Sequence, residues 1–206
     1  MNRGKFIAIE GLDGSGSTTQ IAMVVDYLRA RGISALSTKE PTDNVIGGLI
    51  RGALTGVYKL PDVSLQFLFS ADRGHHLSRL VEPVLQNGRW VVCDRYIWST
   101  IAFGSLALDK SWLCEMQKYF RVPDLSIFVE VSPKECVRRI KEDRFDVELF
   151  EEEKKLRKVW ATYRWLAARY PKQIKIVDGN RQKEEVFKNI AYYINKLLEI
   201  KSNEQK

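Results

Sequence analysis

Apolar runs of strand length recur along this chain, separated by stretches whose apolar positions repeat at helical spacing. The strand-like runs are 5–10, 33–38, 90–94, 125–131 and 174–178. The first, Lys5-Phe6-Ile7-Ala8-Ile9-Glu10, is apolar and partly β-branched, as a buried strand is. After it, residues 18–31 carry Ile21, Val24, Val25 and Leu28 at helical spacing, and Gly32 follows as a stop signal. Further helices are expected at 44–55, 61–86, 99–108, 111–119, 133–141, within 149–170, and at 183–200. Pro61 and Pro133 suit first-turn positions, where the missing N–H is no loss. Five strands alternating with helices predict an α/β fold, a parallel sheet with helices on both faces. No repeat, low-complexity segment or linker interrupts the pattern, so residues 1–206 read as a single domain.

Composition narrows the function classes. An apolar share of 45% with 29% charged residues is that of a globular protein with a full core. The net charge of +7 suits polyanionic ligands. Nucleotides qualify as well as nucleic acids do, but no nucleic-acid-binding signature accompanies the charge, so plain solubility stays open as its reading and no nucleic acid partner is expected. Cys93, Cys114 and Cys136 are far apart, without metal-ligand spacing, and read as free thiols. The first strand starts too early for a signal peptide, and no run approaches the length of a membrane span. A cytoplasmic protein with no membrane partner is the expectation.

The loop after the first strand reads Gly11-Leu12-Asp13-Gly14-Ser15-Gly16-Ser17-Thr18-Thr19. The phosphate-binding pattern G-x-x-x-x-G-K-[ST] is met at Gly11, Gly16 and Thr18, but Ser17 occupies the lysine position. Strand, glycine loop and helix form the setting this motif needs. The glycines let successive N–H groups turn inward onto phosphate oxygens, and the helix N-terminus adds about half a positive charge. Thr18 offers the hydroxyl that such loops place on magnesium.

In open parallel sheets ligands bind at the carboxyl ends of the strands. Here those ends carry Glu10 with the glycine loop, Lys39-Glu40-Pro41, Asp94-Arg95-Tyr96, Val131-Ser132 and Asp178-Gly179-Asn180-Arg181. Asp94 is placed to hold magnesium or its water shell, and Arg95 to fork onto a phosphate; the alternative is a structural ion pair. Phe69 and Arg73 are four apart on one helix and share a face. A ring beside a guanidinium can stack a base and bond its edge, although a packed core aromatic is the commoner use. The charge-dense stretch 138–158 is near neutral overall and reads either as a solvated helix face or as a mobile lid with an arginine over the transferring group. His75 and His76 point to different helix faces and receive no role. Trp98, Trp112, Trp160 and Trp165 read as core or interface.

These segments, in their order, resemble thymidylate kinases, within the nucleoside-monophosphate kinase group of P-loop enzymes. The matching pieces are Ile9-Glu10-Gly11-Leu12-Asp13-Gly14-Ser15-Gly16, Glu40-Pro41, Leu68-Phe69-Ser70-Ala71-Asp72-Arg73, Asp94-Arg95-Tyr96 with Ser99 and Phe103, Pro123-Asp124-Leu125, and Asp143-Arg144-Phe145. The resemblance implies a P-loop NTPase fold, a five-stranded parallel sheet flanked by helices with a lid segment at about 141–150. It implies transfer of the γ-phosphoryl group of ATP to dTMP, with Mg2+ as cofactor and a homodimer. Residues Gly11 to Thr19 would hold the ATP phosphates, with Thr18 and Asp94 on magnesium. Asp13 would lie near the acceptor sugar, Phe69 would stack on thymine, and Arg73 and Thr100 would bond the base. Arg95 would grip the acceptor phosphate, Arg51 would add a further phosphate contact, and Phe103 would crowd a 2′-hydroxyl. Gly14 stands where some members carry an arginine, so the catalytic arginine would come from the lid, as Arg144.

Ser17 leaves three readings. The charge of the missing lysine comes from Arg144, Arg138, Arg139, Lys141 or Lys39; or the chain binds nucleotide without catalysis; or it phosphorylates another monophosphate. One preorganised donor to the transition state is typically worth ~3–4 kcal/mol, so the point is not minor. Phe69, Arg73, Asp94, Arg95 and Thr18 are all present, and a module that only bound ATP would not need the acceptor residues. The expectation is therefore an active kinase with Arg144 supplying the larger share.

Overall fold

The computed structural model describes residues 3–143 and 153–203. Its centre is a parallel sheet of β1 (Phe6–Gly11), β2 (Ala35–Lys39), β3 (Trp90–Asp94), β4 (Leu125–Glu130) and β5 (Ile174–Asp178). The strands lie side by side in the order β2-β3-β1-β4-β5. β1 is in the middle and buried along its whole length, which explains why its residues are apolar on both faces. Every neighbouring pair is parallel; Ile9 pairs with Asp94 and Gly11 with Val129.

The helices are α1 (Ser17–Arg29), α2 (Val45–Leu54), α3 (Asp62–His76), α4 (Glu82–Gln86), α5 (Ile97–Gly104), α6 (Lys110–Gln117), α7 (Pro133–Asp143), α8 (Glu153–Arg169) and α9 (Lys183–Asn203). α1 and α9 pack on one face of the sheet, α5 and α8 on the other. The chain leaves β1 toward β2 and leaves β3 toward β4, in opposite directions from adjacent strands. That reversal opens a crevice at their carboxyl ends, where ligands bind in such sheets.

The expected helix over 61–86 is present but not uniform. Leu77–Val81 forms a π-helical turn between α3 and α4. Pro83 lies just beyond it, and a proline has no N–H for the fourth residue back and crowds its carbonyl. The wider π turn absorbs that mismatch without ending the helix. The other expected helices appear with shifts of a few residues at their ends, as fraying and capping allow. Asn44 and Asp109 cap α2 and α6 by accepting the N–H groups of Gly47 and Trp112.

Candidate active site

β1 delivers the chain at Gly11 into the glycine loop, and α1 begins at Ser17. Gly14 and Gly16 have φ of 78° and 84°, a left-handed backbone that side chains rarely adopt. A Cβ on Gly14 would come within 2.7 Å of the Cys136 carbonyl, so the loop lies close against α7. Leu12 is buried and anchors the loop to the core. Among the described residues no side chain caps the start of α1, which leaves first-turn N–H groups for an anion. The loop faces a cleft of about 1330 Å³, lined also by Lys39, Arg51, Asp94, Arg95 and Arg139.

β3 brings Asp94 to the mouth of this cleft. Its two carboxylate oxygens accept from Ser17 Oγ at 3.1 Å and from Thr18 Oγ1 at 3.0 Å. Ser17 therefore does not merely vacate the lysine position; it orients the carboxylate. The next residue, Arg95, is held at φ 62° in the left-handed region. This bend turns its guanidinium back over the loop, where it donates to the Gly11 carbonyl at 2.9 Å and meets Asp13 at 2.5 Å. It also lies 4.9 Å from the centre of the Phe103 ring. Burial works against the Arg95 cation, but Asp13, Tyr163, Asp94 and Glu10 together outweigh it and hold the group above its ordinary value.

Beyond Arg95 lies a second pocket, about 610 Å³, lined by Phe69, Arg73, Gln66, Tyr96, Thr100 and Phe103, with Leu54 and Pro41 at its rim. Arg73 is almost completely buried. Its Nε and Nη2 donate to the Glu40 carboxylate at 2.9 and 2.7 Å, Nη2 donates to Thr100 at 3.0 Å, and Nη1 donates to Gln117. Those contacts use four of the five guanidinium N–H groups and leave one on Nη1. The other Glu40 oxygen meets His76 Nδ1 at 2.9 Å, and His76 Nε2 lies 2.8 Å from Thr38 Oγ1. A buried guanidinium needs such a partner, because its desolvation would otherwise cost several kcal/mol.

The structure thus brings Asp13, Phe69, Arg73, Asp94, Arg95, Thr100 and Phe103 around two joined pockets, with Gly14, Gly16, Ser17 and Thr18 at the end formed by the glycine loop. Asp13 is paired with Arg95. Arg51 lines the cleft at the glycine loop while donating to the Thr42 carbonyl at 2.5 Å. Thr19 is exposed in the first turn of α1. Residues 141–143 of the expected lid end α7, while Arg144 and 145–150 lie outside the described residues.

Several participants carried no sequence-based expectation. Glu40 and Gln117 hold Arg73, and His76, given no role, holds Glu40. Asp72 accepts from the backbone and side chain of Thr42 and so fixes the chain after β2. Glu10 is fully buried beneath the loop, where Ser99 donates to it at 2.5 Å. Burial pushes its pKa up to about 7, against the opposing pull of Ser99, Arg95, Arg73 and Tyr163. A carboxylate at the end of a wholly apolar run is the sequence signal that marks Glu10.

A family model described as thymidylate kinase matches residues 9–190. A probable thymidylate kinase of Pyrococcus horikoshii is 34% identical over 195 residues, covering 92% of this chain and 95% of the relative. A probable thymidylate kinase of Methanococcus aeolicus is 36% identical over 203 residues, covering 96% and 97%. A thymidylate kinase of Desulfotalea psychrophila is 32% identical over 201 residues, covering 97% and 98%.

Proposed function

The chain belongs to the thymidylate kinase family, and we propose that its own residues divide the ATP-dependent phosphorylation of dTMP to dTDP as follows. The backbone of residues 11–18 and the N-terminus of α1 hold the ATP phosphates. Phe69 stacks on thymine, and the remaining Arg73 N–H bonds its edge beside Thr100. Arg95 binds the acceptor phosphate, exchanging part of its contact with Asp13 for the incoming anion. Arg51 adds a phosphate contact, and Phe103 closes the space a 2′-hydroxyl would need.

Supporting this division is one observation: the phosphate cleft and the acceptor pocket share Asp13, Glu40, Pro41, Leu54 and Arg95 as walls. In-line transfer needs donor and acceptor held end to end, and positioning supplies most of the catalysis.

Thr18 and Asp94 suit Mg2+. Both offer hard oxygen ligands, and their oxygens lie 3.0 Å apart at the mouth of the loop. Among the described residues no group of three or more His, Cys, Asp or Glu is placed to hold a metal, so phosphate and water would complete the shell. When bound, the ion neutralises charge on the transferring phosphoryl group. The charge absent at Ser17 is supplied from around the cleft, by Lys39 and Arg139 on its walls and in larger share by Arg144.

Two further assignments accompany this reading. Val63 and Phe67 lie one helical turn apart on α3 and are 40% and 55% exposed, with Phe67 edge-to-face on Trp112. This apolar face is where a second copy would pack in a homodimer. The three unpaired cysteines suit a reducing cytoplasm.

The test is ADP release from ATP–Mg2+ by the purified chain against a panel of nucleoside monophosphates. The highest kcat/KM is expected with dTMP. Preference for a purine monophosphate would overturn the acceptor assignment, and ATP binding without turnover would overturn catalysis.

A further inference from the structure

Helix α8 places a side chain behind Ser99 and Phe103 of the acceptor pocket that the division of labour above leaves without a role. Tyr163 is fully buried, stacked on Phe128 with ring centres 4.6 Å apart. Its ring also meets Phe103 edge-to-face at 6.4 Å. Its hydroxyl lies 2.7 Å from Ser99 Oγ, 3.3 Å from Glu10 Oε2 and 3.4 Å from the Gly11 carbonyl. Ser99 donates to that same Glu10 oxygen at 2.5 Å, which leaves its own oxygen able to accept from Tyr163.

The groups Tyr163 touches are those on which the acceptor side rests. The Gly11 carbonyl that it approaches also accepts from Arg95 Nη1, at 2.9 Å. The Phe103 ring that it backs is the one beneath the Arg95 guanidinium. Glu10 and Gly11 are consecutive at the end of β1, Ser99 and Phe103 are one turn apart on α5, and Tyr163 bridges them from α8.

A buried tyrosine that served packing alone would need only one hydrogen-bond partner. Here both ring and hydroxyl engage supports of Arg95 and Phe103. We propose that Tyr163 is a positioning residue for the phosphoryl acceptor. Its ring fixes Phe103, and its single O–H, donated to Ser99 and through Ser99 bearing on Glu10, fixes the end of β1 on which Arg95 docks. The seating of α8 thereby sets the register between the acceptor phosphate and the phosphate loop. This inference rests on the acceptor roles given above to Arg95 and Phe103.

The experiment compares the full chain with Tyr163→Phe, Tyr163→Leu and Arg95→Lys. KM is measured for dTMP at saturating ATP and for ATP at saturating dTMP, and kcat/KM is compared between dTMP and its ribose counterpart. Tyr163→Phe removes only the hydroxyl. It is expected to raise KM for dTMP about fivefold, the effect of one ordinary hydrogen bond, and to leave KM for ATP within about twofold. Tyr163→Leu also removes the ring behind Phe103 and is expected to lower the preference for deoxyribose about tenfold. If Tyr163→Leu does not fold, the Phe variant carries the test by its split between the two KM values. Equal changes in both KM values, or no change in either, would overturn the proposal. Arg95→Lys separates the two levels of failure. If it raises KM for dTMP while Tyr163→Phe does not, the positioning role fails and the acceptor site stands. If Arg95→Lys leaves that KM unchanged, the acceptor reading fails, and the positioning role with it.

Discussion

Replacing Glu10 with Gln should remove a pH dependence of stability that the wild-type fold carries at its centre. Glu10 is buried, and its pKa is pushed from 4.5 up to about 7, by burial first. The native state therefore binds this proton more tightly than the unfolded chain does. Stability from this group is fully present below about pH 4.5 and is lost as pH rises through about 7. The gap between those values corresponds to about 3 kcal/mol, most of which falls between pH 5 and pH 8. Glu10→Gln keeps an oxygen that can accept from Ser99 and Tyr163, but its new N–H group lies where Glu10 Oε1 has no hydrogen-bond partner. That fault costs about 1–3 kcal/mol at every pH and cancels when pH values are compared within one protein. The assay is urea unfolding of both proteins at pH 5 and pH 8, at one chain concentration. The wild type should lose about 2–3 kcal/mol more than Glu10→Gln over that interval. Contributions from groups common to both proteins drop out of the comparison. Equal losses in the two proteins would refute the reasoning, and would mean that Glu10 titrates as an ordinary exposed carboxylate does.

Two other outcomes are expected. Ser17→Lys restores the missing P-loop cation, yet Lys39, Arg95 and Arg139 already line the cleft. Its steady-state turnover should rise by less than about tenfold, whereas a gain of two to three decades, the worth of a whole missing donor, would show that no other cation takes its place. Phe67→Asp puts a charge on the exposed apolar face of α3, away from Phe69 and Arg73. Sedimentation should shift from dimer to monomer, and an unchanged sedimentation coefficient would place the dimer surface elsewhere.

The phosphate end of the site was legible because its residues are consecutive. A glycine loop between a strand and a helix carries its own geometry, and Gly14 and Gly16 are left-handed as the motif needs. Asp94 and Arg95 were legible for a related reason, since they end an apolar strand, and strand ends are where such sheets bind. Other features depended on partners distant in sequence. Arg73 reads as an arginine on a helix face, but its charge is settled by Glu40, which is 33 residues away. Ser17 reads as a vacancy, and only its approach to Asp94 shows that it holds a carboxylate. Tyr163 lies 153 residues from the carboxylate it meets and resembles any core aromatic on an amphipathic helix.

The sequence by itself determined the five strands, the helices between them, the glycine loop after β1 and the family to which the chain belongs. Those follow from periodicity and from short contiguous motifs, whose physics is local. Tertiary structure alone decided which carboxylate neutralises Arg73, how Arg95 bends back onto Gly11 and Asp13, and why Glu10 sits near neutrality. Desolvation and charge pairing act over a few ångströms of space rather than along the chain, so they have no value until the sheet places β1, β3, α3, α5 and α8 together.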